Sequence, residues 1–242
     1  MEGKKAVIRD SLARLKKLPR YDNTTVLLLV RLRDLSGDMD LTVEERIALS
    51  QVFYEEGGAE LLMKILESVC PGGSDIRDDN ARVVEFSARV LSNYTGLVPD
   101  LDHKLSELGA IKLMVNLLRS LVEKNQLMER RSIVPRAVGV LGNVSGYQDL
   151  KSCFRQEQAT AMLVSVAKAP IKTSRISCIE TLARIVSEED TDLLNSNADA
   201  VSGLIDAVNK PTYKIWTPIE DACIYKNVNK NKTKHPIVFS KH

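Results

Sequence analysis

The sequence predicts an all-helical protein built from repeated units that stack side by side. Apolar residues make up 44% of the 242 residues but aromatic residues only 5%, so the core must rely on Leu, Ile, Val and Ala. Residues 90–96 (Val-Leu-Ser-Asn-Tyr-Thr-Gly) return fifty positions later as residues 140–146 (Val-Leu-Gly-Asn-Val-Ser-Gly). Self-similarity at a long period, in a chain with almost no strand pattern, indicates stacked supersecondary units rather than one closed globule.

The first segment, residues 1–23, is predicted to contain an amphipathic helix that caps the stack. Ile8, Leu12 and Leu15 share one face of residues 4–18, and basic residues surround them. A mitochondrial leader or a membrane-surface helix has a similar pattern, but Glu2, Asp10 and the shortage of serine favour a cap over the first repeat. Pro19 predicts the end of this helix.

Three helices are predicted to follow it. They span residues 24–35, 43–54 and 59–69. Thr42 with Glu45 three positions later has the pattern of a capping box, which predicts a helix start at Val43. The segment Pro-Gly-Gly-Ser at 71–74 predicts a break before the next unit.

The rest of the chain repeats a long, a short and a medium helix. The predicted elements are 79–94, 101–108 and 110–124, then 129–144, 148–155 and 159–168, then 174–187, 191–194 and 198–208. The medium helices at 58–66, 110–118 and 159–167 align with apolar residues at five shared offsets, and 197–205 retains part of the pattern. Residues 24–210 are therefore predicted to hold about four units of three helices.

One family has this pattern. Gly-Ala-Ile-Lys-Leu-Met-Val-Asn-Leu-Leu at 109–118, followed by a helix that ends Ala-Val-Gly-Val-Leu-Gly-Asn-Val at 137–144, resembles the armadillo repeat. The resemblance covers residues 24–209 and is strongest in the middle. It implies a right-handed α-solenoid of helix triplets, with a groove lined by the third helix of each triplet, but it does not identify the subfamily.

The resemblance also implies residues that would bind a partner. Importin-alpha-like members hold an extended peptide with a third-helix Asn and a Trp four residues before it; this chain has the Asn twice, but Arg89 and Gly139 at the Trp positions. Beta-catenin-like members use a basic groove for acidic partners, which favours the arginines. The predicted groove residues are Arg89, Asn93, Arg136, Asn143, Glu180 and Arg184.

Each of these residues also has a structural interpretation. Asn93 and Asn143 are each followed by Gly three residues later, so they are candidates for capping helix ends or bonding between repeats. Arginines on exposed helix faces are often only solvated. Pro135 predicts a helix start or a kink near the beginning of the 129–144 pattern.

No pattern predicts catalysis, a cofactor or a metal site. His103, His235 and His242 have no partners at metal-ligand or triad spacing, and the sequence has no phosphate-binding loop or nucleophile elbow. The four cysteines are widely separated and predict free thiols, which together with the lack of a hydrophobic signal or spanning segment favours the cytosol, with the nucleus as an alternative.

The last segment, residues 211–242, has a different composition. Its helical periodicity fails, and after Asp221 it contains five lysines and no acidic residue. It predicts a basic, irregular tail, which is either a truncated or variant end or a segment that neutralises RNA or DNA. The net charge of +2 over the whole chain is too small to predict a nucleic-acid-binding protein.

The function predicted from these patterns is a non-enzymatic scaffold whose third-helix groove binds an extended or acidic segment of another protein. The alternative is a regulator of a small GTPase, similar in form to the armadillo-repeat dissociation stimulator, that holds a folded domain on the same face. Nucleic-acid binding through the basic tail is a third hypothesis. A small-molecule ligand has no support in the sequence.

Overall fold

The computed structural model describes residues 1–18, 21–74 and 76–187, together with positions 190, 193, 196 and 197. Across this part of the chain every regular element is a helix and no strand occurs, which confirms the predicted all-α class. Two short 3₁₀ turns, Pro71–Gly73 and Gln148–Leu150, accompany the α-helices. The α-helices are α1 (Glu2–Lys16), α2 (Asn23–Ser36), α3 (Val43–Glu55), α4 (Gly58–Val69), α5 (Ala81–Tyr94), α6 (Pro99–Glu107), α7 (Ala110–Glu123), α8 (Val134–Val144), α9 (Lys151–Gln156), α10 (Ala159–Ala167) and α11 (Lys172–Ile185).

Capping boxes fix the starts of two helices. The Glu45 backbone N–H donates to Thr42 Oγ1 at 3.2 Å and the Thr42 backbone N–H donates to Glu45 Oε2 at 3.0 Å, which confirms the predicted start of α3. Asp22 and Thr25 form the same reciprocal pair at the start of α2. Each box satisfies backbone donors that the first helical turn leaves unpaired.

Two predicted boundaries are wrong. The helix predicted over 129–144 begins only at Val134, because residues 127–133 form turns and Pro135 lies in the first turn, where its missing N–H is not needed. Pro135 thus marks a helix start. The helix predicted over 148–155 is divided into a 3₁₀ turn and the short α9, which begins at Lys151.

Helices three positions apart in chain order pack against each other. Helix α2 packs on α5, α5 on α8, and α8 on α11, and we call these four helices the row. The remaining helices pack behind them: α4 contacts α5, α7 contacts α8, and α10 contacts both α7 and α11. The buried apolar side chains of all these helices form a single cluster.

Helix α1 packs on α2, α3 and α4 with the apolar face that the sequence predicted. Ile8, Leu12 and Leu15 on this face are buried. Helix α1 ends at Lys16, and no helix in the described ranges is long and apolar enough to cross a membrane. The predicted element at 191–194, apart from position 193, the predicted element at 198–208 and the tail at 211–242 lie outside the described residues.

Candidate functional site

The predicted groove residues all belong to the row. Arg89 and Asn93 lie four positions apart on α5, Arg136 and Asn143 seven positions apart on α8, and Glu180 and Arg184 four positions apart on α11. Side chains at these intervals share one face of a helix. All six are half-buried. The row therefore brings together residues that are up to 95 positions apart in the chain, Arg89 and Arg184 being the extremes.

The two asparagines bind the end of the preceding helix in the row. Asn143 Nδ2 donates to Ser92 O at 2.8 Å, to Thr95 Oγ1 at 2.7 Å and to Thr95 O at 3.2 Å. Asn93 Nδ2 donates to Ser36 Oγ at 3.0 Å. The last carbonyls of a helix have no partner within it, so a donor from the next helix satisfies them. The sequence left open whether these asparagines bond to a neighbouring repeat. Their amide nitrogens do bond to the preceding helix of the row.

A glycine makes room for the Asn143 contact. Gly96 has φ +84°, and a Cβ built on it would lie 3.1 Å from Asn143 Cγ. A side chain here would be strained by the backbone conformation and would also press on the asparagine. Gly96, which follows Asn93 by three residues, therefore leaves room for Asn143 of the next helix of the row.

Arg184 occupies the corresponding position on α11. Its Nη1 donates to Gly142 O at 2.8 Å, as Asn143 does to Ser92 O one step earlier in the row. The sequence grouped Arg184 with Arg89 and Arg136, whereas its hydrogen bond places it with the asparagines. The sequence did contain a signal for this role. Arg184 lies near the C-terminal end of α11, 41 positions after Asn143, which lies near the C-terminal end of α8.

The asparagine side-chain oxygens remain available. Neither Asn93 Oδ1 nor Asn143 Oδ1 accepts a hydrogen bond from any described residue, and neither is among the buried atoms that lack a partner. Solvent therefore reaches both oxygens. A side-chain amide has donors on its nitrogen and an acceptor on its oxygen, so each asparagine can hold a helix with one end and a ligand with the other.

Arg89 and Arg136, unlike the two asparagines and Arg184, have no partner among the described residues. Within the described ranges neither guanidinium forms a hydrogen bond or an ion pair, and the Nε atom of each is buried. A buried donor that lacks an acceptor destabilises the free protein, so such atoms are uncommon and call for an explanation.

The surroundings of Arg136 are positively charged. Burial lowers the pKa of Arg136 below its usual value, the charges of Arg89 and Arg33 lower it further, and Glu85 opposes them. Arg33 on α2 lies over the Phe86 ring at 5.1 Å from its centroid and pairs with Asp34. Glu85 Oε2 accepts a hydrogen bond from Ser132 Oγ at 2.9 Å. We call Arg33, Glu85, Arg89 and Arg136 the arginine cluster.

Sequence reasoning missed two members of the arginine cluster. Glu85 precedes Arg89 by four residues, a spacing that places both on one face of α5. Arg33 lies on α2 four residues before Gly37, as Ser92 lies four residues before Gly96 on α5. The position of Arg33 relative to Gly37 could therefore have indicated that Arg33 belongs to the cluster. It does so only once α2 is recognised as a member of the row.

Glu180 lies at the α11 end of the row. Burial raises the pKa of Glu180, and the charge of Arg184, one turn away, partly offsets this effect. The carboxylate of Glu180 carries a negative charge, so it does not extend the anion-binding surface from Arg136 on α8 to α11. The predicted groove therefore has one cationic part, on α5 and α8, and one part on α11 in which the charges of Glu180 and Arg184 balance.

A separate cleft lies away from the row. It measures about 620 Å³ and is open to solvent. Acidic residues predominate among the side chains around it, and no group of described residues has the composition of a metal site. The residues that line the cleft are Tyr54, Glu55, Gly57, Glu60, Asp100, His103, Lys104 and Glu107.

Comparisons of the chain with protein-family models, with curated proteins and with solved structures find no match.

Proposed function

We propose that this chain is a non-enzymatic interaction scaffold, and that the face of the row carrying the arginine cluster binds an acidic segment of a partner protein. The observation that carries the proposal is a pair of guanidinium groups, Arg89 and Arg136, that have no partner among the described residues and whose Nε atoms are buried on adjacent helices. An anion from outside would supply the acceptors that the described residues do not.

The proposal includes an armadillo-like arrangement. Packing between every third helix, α2 to α5 to α8 to α11, is the pattern that stacked helix triplets produce. The triplets are α3 to α5, α6 to α8 and α9 to α11, with α1 and α2 as an incomplete first unit that caps the stack. Four units in a right-handed solenoid, with the third helices along the groove, account for this order of contacts.

The asparagines set the direction in which a partner segment lies. Packed helices are about 8–10 Å apart, and an extended peptide advances about 3.3 Å per residue. A segment that crosses the row therefore brings a backbone N–H to Asn93 Oδ1 and another, about three residues later, to Asn143 Oδ1. Between them its acidic side chains reach Arg89 and Arg136.

The proposal requires a protein partner in the compartment of the chain, for which we propose the cytosol or the nucleus. Affinity capture from cell lysate with quantitative mass spectrometry tests it, with the full chain as bait. Baits for comparison are the double variant Arg89→Gln/Arg136→Gln and the control Arg175→Gln, which removes an exposed arginine with no described partner.

The expected result is a protein retained by the wild type and by Arg175→Gln but depleted at least about tenfold on the double variant. Equal retention on all three baits would remove the row as the binding face. Nucleotide-release assays on any GTPase among the captured proteins separate the regulator hypothesis from simple segment binding, since a scaffold does not accelerate release.

A further inference from the structure

We propose that the anion bound at the arginine cluster is a phosphate monoester, carried by a phosphorylated residue of the partner segment. This inference rests on the proposed function and specifies its ligand.

The charge of the two unpaired arginines matches a dianion. Arg33 is already paired with Asp34, whereas Arg89 and Arg136 carry two positive charges and form no ion pair with Glu85 or with any other described residue. A side-chain carboxylate carries one negative charge, whereas a phosphate monoester carries about −1.5 to −2 at neutral pH. One phosphate therefore supplies a negative charge for each of these two guanidinium groups, whereas one carboxylate supplies a charge for only one of them.

The exposed atoms also favour a phosphate. The Nε atoms of Arg89 and Arg136 are buried, while their Nη atoms are not among the buried atoms without a partner. Each guanidinium therefore offers a partner its terminal edge. One such edge already satisfies both oxygens of a carboxylate, whereas the three terminal oxygens of a phosphate monoester accept from two edges at once.

The surroundings favour a single phosphate over a polyphosphate chain. Asp34 beside Arg33, Glu85 inside the cluster and Glu180 on α11 place carboxylates along the row. A nucleic-acid backbone laid across the row would bring its successive phosphates against these carboxylates. A peptide with one phosphorylated residue places its charge at the arginines alone.

Side-chain NMR of the ¹⁵N-labelled full chain tests this inference. The probes are phenyl phosphate, benzoate and phthalate at matched ionic strength, which compare a phosphate monoester, one carboxylate and two carboxylates on the same ring. Phenyl phosphate is expected to shift the Nε–Hε signals of both Arg89 and Arg136 along one saturable curve. Benzoate is expected to require a concentration at least about tenfold higher.

Variants show whether the two arginines act together. Arg89→Gln should raise the dissociation constant of phenyl phosphate, read at the Arg136 signal, at least about tenfold, while Arg175→Gln should leave it unchanged. Because these substitutions are on half-buried or exposed side chains, the dispersion of the remaining amide signals reports whether the fold persists. An Arg89→Lys variant, which keeps the charge but loses the planar edge, should weaken binding less than Arg89→Gln does.

Several results would overturn the inference. If phthalate or benzoate binds as tightly as phenyl phosphate, the site is not selective for phosphate, although the acidic-segment function survives. If no probe gives a saturable shift at Arg89 and Arg136, the cluster is not an anion site and the proposed function loses its main support. Equal affinity for a short oligothymidylate would point to nucleic acid in place of a phosphorylated peptide.

Discussion

The amide nitrogen of Asn143 donates to three oxygen atoms at the end of α5, whereas that of Asn93 donates to one hydroxyl oxygen at the end of α2. Two of the three Asn143 acceptors are backbone carbonyls at a helix end, Ser92 O and Thr95 O, and Ser92 O has only a longer second bond, from Thr95 Oγ1 at 3.5 Å. The two asparagines occupy equivalent positions in the repeated sequence, yet their contributions to stability should differ.

We expect Asn143→Ala to lower the free energy of unfolding by about 1–3 kcal/mol, because it removes the donor for Ser92 O and Thr95 O. Asn93→Ala should cost less, since Ser36 Oγ retains its own hydrogen bond to Arg33 O. Urea unfolding of both variants measures the difference. Equal losses would show that the two amides contribute in the same way.

Arg136 should have the opposite effect on the free protein. Arg136→Met keeps the apolar stem but removes a half-buried charge that has no partner in the described part of the chain and that lies near Arg89 and Arg33. We expect the free energy of unfolding to stay the same or to rise by up to about 1 kcal/mol, as at binding sites where function is maintained at the expense of stability. A loss of more than about 1 kcal/mol in urea unfolding would reveal a stabilising role that the contacts do not show.

The sequence predicted which side chains share the row but not what each one binds. Helical spacing is sufficient to place Arg89, Asn93, Arg136 and Asn143 on one face. The partners of the two asparagines, Ser36, Ser92 and Thr95, lie at the ends of helices about fifty positions earlier, and hydrogen bonds over such separations depend on the packing of neighbouring helices. The unpaired state of Arg89 and Arg136 is likewise a property of packing.

At the level of elements, the turn Pro71–Gly73 is fixed against α7. Gly73 has φ +75°, and a Cβ on it would lie 2.6 Å from both Leu113 O and Leu117 N of that helix. Those are backbone atoms, which cannot move without shifting the helix. Neighbouring Gly72 has φ +58°, with no atom within 4 Å of the corresponding Cβ.

This pair of glycines supplies a matched test. Gly72→Ala and Gly73→Ala share the strain of a positive φ, which costs about 1 kcal/mol, but only Gly73→Ala also collides with α7. We expect Gly73→Ala to lower the free energy of unfolding by at least about 2 kcal/mol more than Gly72→Ala does. Chemical denaturation measures both, and equal losses would show that the turn does not rest on α7.

His103 connects α6 to the 3₁₀ turn before α9. Its Nδ1 lies 2.9 Å from Pro99 O and its Nε2 lies 2.9 Å from Asp149 Oδ2, and both hydrogen bonds are made only by the protonated ring. The Pro99 hydrogen bond is the main cause that raises the pKa of His103, with Asp149 and Asp102 adding to it. The Tyr147 ring packs edge-on against the imidazole at 4.7 Å between centroids.

A raised pKa in the folded state has a definite sign for stability. The contribution of His103 should be fully present below its unfolded pKa of 6.5 and should disappear as the pH rises through the higher folded pKa. The melting temperature of wild type minus that of His103→Gln should therefore be larger at a pH of about 5.5 than at about 8.5. A difference that stays constant with pH would mean that folding does not raise the pKa of His103.

Sequence patterns located most elements because a 3.6-residue period, glycines and capping residues are local signals. They predicted the capping box at Thr42, and they identified Pro135 as a helix start or a kink. They failed over residues 129–133, where Glu129, Arg130 and Arg131 continue a polar pattern compatible with a helix. The structure ends that pattern in turns, in which Arg130 pairs with Asp78 and with Glu129.

At the level of the whole molecule, the row explains why the chain repeats its sequence. Each helix of the row packs on the preceding helix of the row, so similar residues recur where similar contacts recur. The repeated Asn-x-x-Gly pattern was the most specific of these signals, because the glycine of one unit accommodates the asparagine of the next. The partner of the proposed scaffold could not be predicted, since a sequence encodes only its own side of an interface.

The most direct test of this account is fluorescence anisotropy of a fluorescein-labelled oligoglutamate peptide titrated with the full chain at low salt. We expect saturable binding that weakens at least about tenfold in Arg89→Gln/Arg136→Gln and is unchanged in Arg175→Gln, with oligolysine as a probe that does not bind. Circular dichroism of each variant checks that its helices persist. Binding of the double variant with the affinity of the wild type would contradict the central claim that the arginine cluster receives an acidic segment.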